Sequence, residues 1–144
     1  MLYHASPLKH LALLEPKPTL SNNKNIGDYL FATPNKIMAM MYLVPLGVPT
    51  LMNPGAEKPN IVICSNKDEF KKVDKGGAIY ELEGKGFTET PQKDLSQYEK
   101  VSKRLVKPIS KTVYDSSLQA MSSTGIKIMF VTEKKFKELS GNLT

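Results

Sequence analysis

Residues 28–42 read DYLFATPNKIMAMMY, and this stretch joins a predicted strand directly to a predicted helix. The apolar and aromatic residues 29–32 suit a half-buried strand. Thr33 can accept a hydrogen bond from an open helix amide, and Pro34 fits the first helical position. A helix start gathers backbone donors and positive charge at the edge of a sheet. We therefore expect a phosphate or another anion to bind near this junction.

The N-terminal segment predicts a second strand-to-helix unit. Residues 2–5 read LYHA and predict a short strand, and the Ser-Pro pair that follows predicts a helix over residues 6–14. Residues 19–27 are polar and rich in Asn, which is typical of a surface loop. His4 then lies at the carboxyl end of the first strand, where it is either a core-edge histidine or a functional one.

The remainder of the chain alternates short elements. We expect strands over residues 61–64, 78–83, 108–114 and 126–131, and helices over residues 68–73, between residue 116 and Gly125, and over residues 133–139. Residues 44–60 contain repeated Pro and Gly and predict a long irregular connection. Because no regular strand-helix-strand rhythm is present, the pattern predicts one α+β domain over residues 1–144 rather than a doubly wound parallel sheet.

The charge balance is basic, with 20 Lys and Arg against 14 Asp and Glu. This excess predicts a weak attraction to polyanions without selecting one class of them. Within residues 92–107, Lys100, Lys103, Arg104 and Lys107 follow at spacings of three and four. They form one basic face if the segment is helical, and a solvated surface if it is extended.

Cysteine use and hydropathy limit the cellular context. The single Cys64 lies in an apolar run and predicts a core residue of a protein from a reducing compartment. No apolar run approaches the ~20 residues of a membrane span, so we expect a cytoplasmic protein without a membrane partner. The sequence contains no GxGxxG, P-loop, CxxC or HExxH motif, and two His with one Cys predict no metal site.

Four short motifs nevertheless occur in a suggestive order. They are YHAS at residues 3–6, LFAT at residues 30–33, GAIY at residues 77–80 and GFTETP at residues 86–91. Their order and spacing resemble the ADP-ribosyltransferase superfamily, and most closely its small bacterial rifamycin ADP-ribosyltransferases. The resemblance extends over most of the chain. It implies a split β-sheet with short flanking helices, and NAD⁺ bound as a substrate in the cleft between the two halves.

The resemblance also implies roles for particular residues. His4, with Ala5 and Ser6 beside it, matches the histidine motif that hydrogen-bonds the adenosine ribose, because a neutral imidazole can donate to or accept from a hydroxyl. Glu89 matches the catalytic acidic residue, whose carboxylate stabilises positive charge as the glycosidic bond loosens. Two other carboxylates are alternatives for that role: Glu81 and Glu83.

The aromatic position of the family is the point of departure. Leu30 stands where the family has a tyrosine that stacks on nicotinamide, and Tyr29 precedes it on the opposite face of a regular strand. A bulge could turn Tyr29 inward, or Phe31 or Tyr42 could supply the ring. Tyr29 and Tyr42 are otherwise ordinary core-edge aromatics.

The resemblance therefore implies NAD-dependent ADP-ribosyl transfer, or NAD glycohydrolysis, by a transferase of the glycosyltransferase class. The acceptor is a protein, a nucleic acid or a small molecule that the sequence does not identify. Two alternatives use the same fold. One is a non-catalytic domain that binds nucleotides or nucleic acid, and the other is transfer of an RNA 2′-phosphate to NAD⁺.

Overall fold

The computed structural model describes residues 1–21, 24–53, 60–91 and 99–141 of the chain, and it shows an α+β arrangement. The described strands are β1 (Leu2–Ser6), β2 (Lys17–Ser21), β3 (Lys24–Ala32), β4 (Thr50–Met52), β5 (Ile61–Ser65), β6 (Gly77–Leu82), β7 (Thr88–Glu89), β8 (Lys100–Ser102), β9 (Ser110–Tyr114) and β10 (Lys127–Val131). The described helices are α1 (Lys36–Met41), α2 (Lys67–Val73), α3 (Ser117–Ser123) and α4 (Glu133–Gly141).

The strands form three small sheets. Their orders are β1-β6-β9, β10-β5-β4 and β2-β3-β8-β7. Only β10 and β5 run parallel, and every other described pair is antiparallel. The predicted α+β class is therefore confirmed. None of the described helices has the length and apolar composition that crossing a bilayer requires.

Strand β6 divides the hydrophobic core, and its predicted central position in a sheet is confirmed. Ile79 belongs to a large cluster formed mainly with α1, β5 and α3, whereas Ala78, Tyr80 and Leu82 belong to a second cluster with residues of β1 and β3. The alternation of strand side chains explains this division, because neighbouring residues point to opposite faces. Each face of β6 thus covers a different half of the molecule.

The first and third sheets meet at one backbone bridge. The N–H of Tyr3 donates to the carbonyl of Thr33 at 2.8 Å, and the N–H of Thr33 donates to the carbonyl of Tyr3 at 2.9 Å. Among the described residues, β1 and β3 pair only at this bridge. The two sheets therefore separate on either side of it, and they leave room for a cleft.

This bridge also explains why α1 begins later than the sequence predicts. Thr33 is buried and its backbone is paired with β1, so it cannot adopt the cap position. The helix cap is instead Asn35, whose side chain accepts a hydrogen bond from the N–H of Met38 at 3.1 Å. The hydroxyl of Thr33 accepts from the N–H of Asn35 at 3.1 Å. The prediction of a cap at Thr33 with Pro34 in the first turn was wrong by about half a turn.

Two N-terminal predictions were also wrong. Residues 7–16 contain no helix, because their backbone groups bind distant partners. The hydroxyl of Tyr80 donates to the carbonyl of Leu8 at 2.6 Å, and Leu14 exchanges backbone hydrogen bonds with Val106. The predicted loop over residues 19–27 is largely the antiparallel pair β2 and β3, with residues 22 and 23 outside the described part.

The later elements follow the prediction closely. Strands β5, β6, β9 and β10 and helices α2, α3 and α4 begin within about two residues of the predicted positions. The connection over residues 44–60 contains one unpredicted strand, β4, which pairs with β5. Residues 54–59 and 92–98 lie outside the described residues. The basic segment from residue 99 to residue 107 forms β8 and bends, so its lysines do not share a helical face.

Asp74 joins the end of α2 to the start of α3. Its carboxylate accepts hydrogen bonds from the N–H groups of Ser117 at 2.6 Å, Leu118 at 3.0 Å and Gly76 at 3.0 Å, and from the hydroxyl of Ser116 at 2.9 Å. Partial burial alone raises the pKa of Asp74, but these four donors together hold it below its usual value. The carboxylate therefore supplies a partner for helix amides that would otherwise lack one.

We expect Asp74→Ala to lower the free energy of unfolding at pH 7 by about 1–3 kcal/mol, because several donors lose a charged acceptor. Since the folded-state pKa of Asp74 is depressed, its contribution is present above the unfolded pKa of about 3.9 and disappears as the pH falls through the folded value. Urea unfolding at pH 7 and pH 3 measures both effects. Asp115→Asn, at a fully exposed side chain, is the control and should match wild type; equal behaviour of both variants at pH 7 would contradict this role.

Candidate functional site

A cleft of about 380 Å³ opens where β1 and β3 separate. Its walls come from β1, from the end of β3, from α1 and the residue that follows it, and from the residue before β8. The lining residues are Tyr3, His4, Ala5, Thr19, Phe31, Ala32, Thr33, Ala39, Tyr42 and Glu99. The cleft thus collects one imidazole, one carboxylate and three aromatic rings from segments that are far apart in the chain.

His4 is held in one tautomer by the backbone of the neighbouring strand. Its Nδ1 lies 2.6 Å from the carbonyl oxygen of Phe31. Because a carbonyl oxygen can only accept, Nδ1 carries the proton and Nε2 is left as an acceptor. Burial lowers the pKa of His4, and the hydrogen bond to Phe31 opposes this only in part. The imidazole is therefore neutral at pH 7 and can accept a hydrogen bond from a hydroxyl group.

Glu99 is the buried carboxylate of the cleft. It immediately precedes β8, whose first residue Lys100 pairs with Ala32 at the end of β3, so Glu99 lies beside the strand-to-helix junction. Only 8% of the residue is exposed. Its Oε1 accepts a hydrogen bond from the hydroxyl of Tyr42 at 3.1 Å. Burial raises the pKa of Glu99, and the hydrogen bond from Tyr42 lowers it in part.

Tyr42 is placed by helix α1. It is the C-cap residue of that helix, and its N–H donates to the carbonyl of Ala39 at 3.1 Å. The preceding residues 38–41 are all buried. Residues 39–41 belong to the large core cluster, and the sulfur of Met38 contacts the hydroxyl of Thr33. The end of the helix therefore has little freedom to move. Burial and the neighbouring Glu99 carboxylate raise the pKa of Tyr42. The phenol is therefore protonated and acts as a donor.

A second depression of about 810 Å³ adjoins the cleft. It shares His4, Ala5, Thr19 and Phe31 with the cleft, so the two spaces adjoin along these four residues. Its other walls are mainly apolar and come from the end of β1 and the segment after it, from β2 and β3, and from the distant Leu46. The residues that line these walls are Ser6, Pro7, Leu8, Leu11, Leu13, Leu14, Glu15, Lys17, Pro18, Leu20, Tyr29, Leu30 and Leu46. We call this space the leucine groove.

The structure brings most of the predicted binding residues to these two spaces. His4, Ala5, Phe31 and Tyr42 line the cleft, and Ser6, with residues 29–30, lines the leucine groove. His4, Ala5 and Phe31 line the leucine groove as well. Phe31 is half-buried at the cleft wall, whereas Leu30 is 3% exposed and packs in the second core cluster.

Tyr29 does not take the place of the missing tyrosine. Its ring lies on the same side of β3 as Phe31, with ring centroids 6.3 Å apart. A bulge is present in β3, but the register shift falls between Asn25 and Gly27 and leaves the alternation from residue 29 onward intact. Phe31 and Tyr42 are therefore the aromatic rings that the predicted set contributes to the cleft.

The predicted acidic residues lie elsewhere. Glu89 is exposed on the short edge strand β7, opposite Lys100, and does not line the cleft. Glu81 accepts a hydrogen bond from the hydroxyl of Ser110 at 3.0 Å, and Glu83 is exposed beyond the end of β6; neither lines the cleft. The carboxylate that lines the same cleft as His4 is Glu99.

Sequence reasoning missed Glu99 because residues 92–107 were interpreted as a single basic segment. A usable signal was present, since Glu99 directly precedes the short run KVS, in which the single apolar residue, Val101, is buried. An acidic residue at the start of a strand is well placed to face a cleft at the sheet edge. Spacing alone could not show that this strand pairs with β3.

The cleft offers groups for organic ligands rather than for metal ions. The described residues contain no group of three or more His, Cys, Asp or Glu side chains that could hold a metal. A neutral imidazole, a buried carboxylate and aromatic rings can together bind hydroxyl groups, a positive charge and a flat ring. Compared with known proteins, the chain matches no family model, no curated protein and no solved structure.

Glu99→Gln should not destabilise the protein, because the amide oxygen can still accept from Tyr42 while the buried charge is removed. Since the folded-state pKa of Glu99 is raised, its ionisation costs stability above the folded pKa, and the cost disappears below the unfolded value of about 4.3. We therefore expect the thermal midpoint of the variant to equal or exceed that of wild type at pH 8 and to match it near pH 4. Glu89→Gln, at an exposed position, is the control; a clear drop at pH 8 for Glu99→Gln alone would contradict this account.

Proposed function

We propose that this protein binds NAD⁺ across the cleft and the leucine groove, cleaves the nicotinamide–ribose bond and passes ADP-ribose to an acceptor or to water. One observation supports the proposal most strongly. A carboxylate that is 8% exposed and hydrogen-bonded by Tyr42 lines the same cleft as the neutral His4. Burying a carboxylate without a cationic partner is costly, and such a group at a cleft is typical of a catalytic site.

The shape of the two spaces suits a two-part ligand. The cleft and the leucine groove meet at His4, as the two halves of a dinucleotide would require. The nicotinamide half fits the cleft, where Phe31 and Tyr42 offer aromatic surface. The adenosine half fits the apolar groove, and one of its ribose hydroxyls can donate to Nε2 of His4. Lys17 and Glu15 lie together on the groove wall, with their charged groups 3.6 Å apart.

The chemistry follows from charge. Nicotinamide in NAD⁺ is cationic, and cleavage moves the electron pair of its C–N bond to the ring nitrogen and leaves positive charge on the ribose. An ionised Glu99 in a poorly hydrated cleft stabilises that developing charge more strongly than a solvated carboxylate could. The acceptor oxygen or nitrogen then bonds to the ribose C1′, and its proton leaves to solvent. Neutral nicotinamide is the leaving group.

The other functions receive less support. Transfer of an RNA 2′-phosphate would need several cationic side chains around the reacting phosphate, and no Lys or Arg lines the described part of the cleft. A non-catalytic domain that binds polyanions through its lysine-rich surface would not need a buried carboxylate. The cleft does not select an acceptor among proteins, nucleic acids and small molecules.

Release of nicotinamide from labelled NAD⁺ tests the proposal directly. Wild type should release nicotinamide, and Glu99→Gln should lower the rate by about 100-fold or more, the usual effect of removing one electrostatic stabiliser of a transition state. Glu89→Gln is the matched control and should keep most of the rate. No release by wild type with water or any acceptor class, or equal rates for wild type and Glu99→Gln, would reject the enzyme.

Calorimetric titration of NAD⁺ at two salt concentrations tests the binding site. We expect saturable binding that depends weakly on salt and that His4→Ala weakens by about tenfold, because a buried hydrogen bond to the ribose is lost. His10→Ala, at an exposed histidine outside both spaces, is the control. Absence of heat with NAD⁺, together with strongly salt-dependent binding to RNA or DNA, would favour the non-catalytic alternative.

A further inference from the structure

We propose that Tyr42 is a positioning residue for Glu99. The hydroxyl of Tyr42 directs the carboxylate into the cleft and keeps it ionised, so this hydrogen bond sets the lower pH limit of the reaction. The inference rests on the proposed function, because the lower pH limit is that of the proposed cleavage of NAD⁺. The geometry behind it is independent of substrate, because the hydroxyl of Tyr42 donates to Oε1 of Glu99 at 3.1 Å in the free protein.

Tyr42 is suited to this role by its position in the fold. As the C-cap residue of α1 it follows four buried residues, and its own N–H is bonded to the carbonyl of Ala39. The whole residue is 43% exposed, so the ring extends from solvent to the buried carboxylate. A rigid phenol in this position partly covers Glu99 from water and offers a donor whose direction is determined by the helix. The donor satisfies one carboxylate oxygen, Oε1.

Two other polar side chains of the cleft form separate hydrogen bonds. Nδ1 of His4 donates to the carbonyl of Phe31, and the hydroxyl of Thr33 accepts from the N–H of Asn35 and contacts the sulfur of Met38. Among the described residues, the hydroxyl of Tyr42 forms no hydrogen bond other than the one to Glu99. A hydroxyl that served only packing would not need to reach a buried charge.

The charged and titratable groups around Glu99 favour this residue as the origin of the acid limb in the pH dependence of nicotinamide release. The cleft contributes His4, Tyr3 and Tyr42, and the adjoining strands contribute Lys100 and Glu89. Burial lowers the pKa of His4, whereas the hydrogen bond to the carbonyl of Phe31 raises it in part. Burial raises the pKa of Glu99, and the hydrogen bond from Tyr42 opposes that shift. Removing the hydroxyl should therefore let the carboxylate keep its proton to a higher pH.

The test is the pH dependence of nicotinamide release by wild type, Tyr42→Phe and the control Tyr114→Phe, whose ring lies on β9 outside the cleft. We expect the acid limb of Tyr42→Phe to move to higher pH. Relative to wild type, the loss of activity in the variant should be about tenfold greater at pH 6 than at pH 8. This is the size expected for a hydrogen bond to a charged group. An equal loss at every pH, or a profile like that of wild type, overturns the positioning role.

A second measurement separates this inference from the proposed function. Carbon NMR titration of the Glu99 carboxyl in substrate-free protein should give a higher pKa in Tyr42→Phe than in wild type, whether or not the protein turns over NAD⁺. Thermal unfolding of the variant verifies that it is folded. If wild type releases no nicotinamide but the titration shift is present, the enzyme fails and the Tyr42–Glu99 coupling stands. If the titration curves coincide, the coupling is rejected even in an active enzyme.

Discussion

The backbone bridge between Tyr3 and Thr33 is the constraint on which the other features depend. Two hydrogen bonds of 2.8 and 2.9 Å join the first strand to the end of the third, and the strands separate from each other beyond that point. The same pairing holds Thr33 extended and moves the helix cap to Asn35. The start of α1, and through it the position of Tyr42, therefore follows from a contact between residues thirty positions apart.

The bridge also accounts for the contents of the cleft. His4 follows Tyr3 in β1 and reaches the carbonyl of Phe31 on the facing strand, which selects its tautomer. Strand β8 pairs with the last residues of β3, and this places Glu99 at the same junction. A cleft at the point where two sheets separate can thus collect an imidazole, a phenol and a carboxylate without any of them being close in sequence.

Burial of the Glu99 carboxylate determines the chemistry of the cleft and also makes the ionised group less stable. A carboxylate that is 8% exposed with a phenol as its donor is less stable than a solvated one. Asp74 shows the opposite arrangement elsewhere in the fold, where four donors compensate a half-buried carboxylate and lower its pKa. The contrast between a structural acid with four donors and a more deeply buried acid with one described donor at a cleft supports a functional role for Glu99.

The sequence by itself determined the α+β class and most of the later elements, because hydrophobic periodicity, caps and turn residues act over a few neighbouring positions. Tertiary structure decided the rest. The predicted N-terminal helix became an irregular segment because Tyr80 and Val106 bind its backbone, and the predicted loop became a hairpin because β2 and β3 pair. Glu89 and Glu99 could not be ranked from spacing, since the cleft forms only when β8 pairs with β3. Long-range strand pairing brings such residues together, and local sequence patterns do not encode it.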